Sequence, residues 1–76
     1  MSLKEARQEA GMTQKELAVE TGISLRSIQH MERNYRKPEF AQLETLCKMA
    51  IALNCPIENL FTDDSLKELY KQAKTL

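Results

Sequence analysis

"TQKELAVETGISLRSIQHMERN", residues 13–34, holds two helix starts separated by a single glycine. Thr13 and Glu16 form a capping box, in which the hydroxyl satisfies one orphan backbone N–H and the carboxylate satisfies another. Met12 and Leu17 supply the hydrophobic staple that flanks such a box, so a helix begins at about residue 14 and stops before Gly22. Ser24 then caps a second helix, with Ile23 and Ile28 as its staple. Asn34, which tolerates positive φ better than other non-glycine residues, follows Arg33 as a stop.

Two short helices joined by a turn of three or four residues containing glycine cross at about 90 to 120°, which lets the second stand out from the body of the domain. The apolar positions agree with that arrangement. Leu17, Ala18, Ile23, Ile28 and Met31 are expected to face inward, with Ala18 small because the helices approach closely there. Leu25, Arg26, Gln29, His30 and Arg33 fall on the outer side of the second helix, and most of them donate or accept hydrogen bonds. A helix of this kind is suited to a DNA major groove.

The flanking sequence reads as further helix. Ser2 and Glu5 make another capping box, and Gly11 suits a left-handed stop, giving a helix over about 2–10. In "FAQLETLCKMAIAL", Phe40, Leu43, Leu46 with Cys47, Ala50 and Leu53 recur at helical spacing, so this stretch is expected to form the main core helix. Pro56 can begin a short helical turn through Leu60, because its φ is already set. Thr62 or Asp63 opens a last amphipathic helix, about 63–75, carrying Leu66, Leu69, Tyr70 and Ala73. No stretch alternates in the manner of a strand. The expected fold is all-α: a compact bundle of five short helices, six if the short turn is counted, in one domain spanning residues 1–76.

Composition sets the bounds. A 76-residue chain buries only about 60 to 65% of its unfolded surface, so the core is small. With 42% hydrophobic and 29% charged residues and only two glycines and two prolines, the chain has the balance of a folded helical domain rather than a disordered one. No apolar run approaches the roughly 18 residues of a membrane span, and the charged "MSLKEARQEA" start is unlike a signal peptide, so a cytoplasmic location and no membrane partner are expected. Cys47 and Cys55 with a single histidine are too few for a four-ligand zinc site, and they read as reduced, mostly buried thiols. Neither a metal nor a cofactor is expected. No acid and base pair, phosphate loop or oriented Cys and His arrangement points to an enzyme.

The formal net charge is zero, but it is unevenly spread. Between Gly22 and Lys37 the basic residues are Arg26, Arg33, Arg36 and Lys37 against the single acid Glu32, while six acids lie beyond. The local excess of positive charge matters more to a polyanion than the total does.

These segments together resemble the phage repressor and Cro helix-turn-helix family, also called XRE-like, over about residues 3–61. The resemblance rests on Arg7, "TQKELA", Gly22, the "SxxSIxxME" spacing of the third helix, a basic residue before Pro38, and "LNCPIENLF". It implies a lambda-repressor-like fold and a regulator that binds double-stranded DNA as a homodimer on a pseudo-palindromic operator. It also implies that Gln14 braces a phosphate and that Ser24, Leu25, Arg26 and His30 read bases, with Gln29 beside them. Lys15, Asn34, Arg36 and Lys37 are expected on the phosphate backbone, and Arg7 with Glu32 as a structural ion pair fixing the third helix. Leu25 stands where many members carry a polar reader, which fits a thymine-methyl contact or a weaker site. Between Pro38 and "LETL" the three residues "FAQ" exceed the family pattern; they either lengthen the fourth helix or enlarge the loop before it.

Two matters stay open on these grounds. The face of Leu66, Leu69 and Tyr70 either forms a dimer interface or packs back on the fourth helix. The alternative function is a protein-interaction module with the same fold, such as an antitoxin paired with a toxin, for which zero net charge and Leu25 are the support.

Overall fold

The protein is described by a computed structural model that covers residues 2–33 and 37–76. Helix α1, Leu3–Glu9, starts at the Ser2 and Glu5 capping box, and Gly11 follows it at φ +70°. Helix α2, Gln14–Thr21, starts at the Thr13 and Glu16 box and ends on Gly22, whose φ of +74° lies in the left-handed region that glycine adopts without cost. Helix α3, Leu25–Glu32, is capped by the Ser24 hydroxyl, which accepts from the Ser27 amide. Its C-cap is Arg33; the Asn34 stop lies outside the described residues, as does Arg36.

The turn between α2 and α3 is held by a residue that the sequence reading passed over. Thr21 is buried; its hydroxyl donates to the Leu17 carbonyl at 2.7 Å and accepts from the Ile23 amide at 3.2 Å. One side chain therefore satisfies a backbone donor of the turn while its own donor stays paired, so no polar group is stranded.

Pro38–Phe40 form a single 3-10 turn, Ala41 is extended, and helix α4 runs Leu43–Leu53. The expectation that helix begins at Phe40 is therefore corrected: "FAQ" enlarges the loop before α4 and does not lengthen it. The physical reason is visible at Glu39. Its carboxylate accepts from the Thr62 amide and hydroxyl and from the Asp63 amide, at 2.7 to 3.1 Å, which holds the 3-10 turn against the start of the last helix. The buried arc of α4 is accordingly Leu46, Met49, Ala50 and Leu53, while Phe40 and Leu43 are exposed and not part of the core.

After Asn54, which ends α4 in the left-handed conformation at φ 52°, Ile57–Leu60 form a second 3-10 turn. Pro56 is the cap of this turn rather than its first residue. Helix α5, Asp64–Lys74, is capped by the Asp63 carboxylate, which accepts from the Ser65 and Leu66 amides. It docks on the 57–60 turn. The Phe61 and Tyr70 rings meet at 5.3 Å between centroids, and Lys74 Nζ donates to Glu58 Oε1 at 2.6 Å. No residue of α5 is fully buried, so these contacts and the Glu39 clamp are what hold it.

The core joins the first four helices and the 57–60 turn: Leu3 and Ala6 from α1, Leu17 from α2, Ile28 and Met31 from α3, the α4 arc and Leu60. Leu17, Ile28, Met49 and Leu60 have no accessible surface, and cutting such a residue back to alanine costs about 2 to 5 kcal/mol. Met31 fills the core as expected, and Met49 joins it there. Cys47 and Cys55 are free thiols but half-buried, not mostly buried, and burial pushes the Cys55 thiol above its ordinary range. Among the described residues no helix is long and apolar enough to cross a membrane.

Candidate nucleic-acid interface

Successive residues of an α-helix are turned by about 100°, so Arg26, Gln29, His30 and Arg33 occupy one arc of α3 opposite Ile28 and Met31. Burial follows that geometry. Ile28 and Met31 are buried, Arg26 and Arg33 are exposed, and Gln29 and His30 are half-buried. Leu25 lies at the edge of the arc and is 39% exposed, so a large apolar side chain stands beside the polar ones. Ser24 is exposed but engaged: its hydroxyl donates to Ser27 Oγ at 2.8 Å while capping the helix.

Glu32, the only acid of α3, is turned inward. Arg7 Nε donates to its Oε2 at 2.7 Å and Arg7 Nη2 to its Oε1 at 3.0 Å, a two-pronged contact between α1 and α3. The third prong, Nη1, donates to the Met12 carbonyl at 2.8 Å. The side chains are only 12% and 4% exposed, and the Glu32 hydrogen bond raises the Arg7 pKa. With this acid neutralised inside, the outer arc of α3 carries only neutral and basic side chains.

Gln14, the first residue of α2, belongs to the same cluster. Its Nε2 donates to Glu32 Oε1 at 3.1 Å. Sequence reasoning missed this link, because residues 14 and 32 come together only through the crossing of α2 and α3. The consequence is that the amide is held in place by a residue of α3, with its second N–H and its carbonyl left for another partner.

Lys15 and Lys37 are exposed, and Lys37 Nζ lies 5.9 Å from the centre of the Phe40 ring. Arg36 and Asn34 lie outside the described residues. The Glu16 carboxyl sits below the usual carboxylate range because it accepts from the Thr13 amide, which puts a negative charge at the start of α2 close to Lys15. Among the described residues no group of three or more histidine, cysteine, aspartate or glutamate side chains is placed to hold a metal ion.

Two helices joined by a three-residue turn, with the second presenting a polar arc outward, define a helix-turn-helix unit. A family model described as helix-turn-helix matches residues 3–60, and the chain belongs to that family, in its XRE-like branch. The chain is also similar to the HTH-type transcriptional regulator ImmR of Bacillus subtilis (strain 168), at 38% identity over 66 residues. That match takes in 87% of this chain and 50% of the relative, so the chain spans about half the length of the curated relative it matches. No solved structure matches the chain.

Proposed function

We propose that the chain is the DNA-binding part of a transcriptional regulator, and that it works as a homodimer on a pseudo-palindromic operator, by binding and without catalysis. The observation that carries this reading is the polarity of α3: Arg26, Gln29, His30 and Arg33 share its outer arc while Glu32 is bound inward by Arg7 and Gln14. An arginine in the first turn of a groove-inserted helix bonds guanine O6 and N7 together, and Leu25 beside it meets a thymine methyl group. Ser24, Gln29 and His30 complete the set of base-reading side chains. Gln14, Lys15, Asn34, Arg36 and Lys37 hold the phosphates on either side, and the Glu32 hydrogen bond fixes the orientation in which Gln14 meets its phosphate.

Pairing is required on physical grounds. One short helix reads too few base pairs to pick out a site, and two copies related by a two-fold axis double the contact set. The similarity to a protein named as a transcriptional regulator supports the same reading. The test is to select bound sequences from random duplex DNA. Enrichment of a two-fold symmetric site supports the reading; failure to enrich any sequence contradicts it and leaves the interaction-module reading.

A further inference from the structure

The outer face of α4 carries apolar residues that nothing in the described chain covers. Leu43 and Ile51 are 69% and 79% exposed, and Cys47 lies midway between them at four-residue spacing, so the three form one stripe about 12 Å long. The inner arc of the same helix is spent on α2 and on the 57–60 turn. Helix α5 does not fold over the stripe: Lys74 with Glu58 and Tyr70 with Phe61 tie it to the 57–60 turn and the residue after it.

The relief of this surface is a ridge flanked by two hollows. Ile51 stands as a knob between two grooves. One, of about 490 Å³, is walled by Cys47, Ala50, Cys55, Pro56 and Ile57, and the other, of about 200 Å³, by Glu20, Thr21, Lys48 and Ala52. A two-fold operation that brought two such faces together would set Ile51 of each copy against the hollows of the other, the reciprocal contact that isologous pairing requires. The charges on the flank are self-complementary. Glu44 and Lys48, 2.9 Å apart and both exposed, offer one acid and one base per copy, so like faces can exchange partners instead of repelling. Apolar centre and charged rim are the anatomy of a protein interface.

We propose that the α4 stripe of Leu43, Cys47 and Ile51 is a homodimer interface whose occupant is a second copy of this chain. The assignment rests on the dimeric reading above and moves the interface away from Leu66, Leu69 and Tyr70.

Sedimentation equilibrium of the chain and of Ile51→Glu, Leu43→Glu and Leu69→Glu tests it, all three sites being exposed so that the fold survives, as circular dichroism checks. Ile51→Glu and Leu43→Glu should weaken dimerisation tenfold or more, and Leu69→Glu should leave it unchanged. In a Cys55→Ser background a short bis-maleimide should link Cys47 to its copy. A dimer that ignores Ile51→Glu, that fails to link through Cys47, or that is broken by Leu69→Glu overturns the interface while leaving the dimeric reading intact. A chain that stays monomeric both free and on a two-half-site duplex overturns the two together. DNA recognition is read separately, because Ile51→Glu should keep its affinity for a single half-site and lose only cooperativity on the full site.

Discussion

Glu32 is the side chain on which the orientation of α3 depends. It accepts from Arg7 twice and from Gln14 once, with 4% of its side chain exposed, so three donors from two other segments converge on one carboxylate. Removing its charge strands the Arg7 guanidinium in a site only 12% exposed, and breaking a pair of this kind costs about 3 kcal/mol or more. For a chain of this size Glu32→Gln should lower the melting temperature by about 12 °C or more, at about 4 to 8 °C per kcal/mol; a thermal unfolding curve matching the wild type would contradict the role assigned to the pair. The pairing of Arg7 with Glu32 was legible in the sequence through the family resemblance, whereas for Gln14 the resemblance implied a phosphate contact and gave no sign of the bond to Glu32. Its bond to Glu32 depends on the angle between α2 and α3, and no local spacing encodes that angle. Thr21 was missed for a different reason: a threonine at the end of a helix reads as solvent-facing, and only the closed turn shows its hydroxyl bridging Leu17 and Ile23.

Helix α5 is held in part by the Glu58 and Lys74 pair, and that pair titrates. The hydrogen bond from Lys74 holds the Glu58 carboxyl below the usual carboxylate range, and the same bond raises the Lys74 pKa. A lowered carboxyl contributes stability that is present above the ordinary glutamate pKa, about 4.3, and is lost as pH falls through the lower folded value. A raised lysine contributes stability that is present below the ordinary lysine pKa, about 10.4, and is lost as pH rises through the higher folded value. Docking of α5 should therefore be complete near neutrality and weaken at both extremes, which the contact between the Phe61 and Tyr70 ring protons reports in an NMR titration. A contact unchanged well into the acid range would show that Glu58 is not an anchor. The caps at Ser2, Thr13 and Ser24 set their helix starts and were legible, because each is a local pairing across three residues, while Asp63 was legible only as one of two candidates beside Thr62. The start of α4 was misread since the apolar spacing runs on through Phe40 without a break. What decides the boundary is the clamp of Glu39 on Thr62 and Asp63, more than twenty residues away.

Taken whole, the molecule has no net charge, so any attraction to DNA must come from how its charges are placed. The acid of α3 is internal, Arg26 and Arg33 stand exposed on its outer arc, and the remaining acids lie elsewhere along the chain. A two-fold dimer presenting both copies of α3 to one side of B-DNA should protect two successive major grooves, with half-sites about 34 Å apart; a footprint confined to one groove at saturation would argue against the dimer. The most direct test of sequence reading by α3 compares Arg26→Ala with Lys37→Ala on the selected site and on a scrambled duplex at several salt concentrations. Arg26 is exposed in the first turn of α3 and should read guanine, so its loss should cost about 1 to 3 kcal/mol on the selected site with little change on the scrambled one. Lys37 is exposed beyond the helix and is assigned to phosphate in the proposed function, so its loss should weaken both duplexes alike and lower the salt slope by about one unit. If Arg26→Ala instead weakens the two duplexes equally, α3 does not read sequence through Arg26 and the account of this helix is wrong.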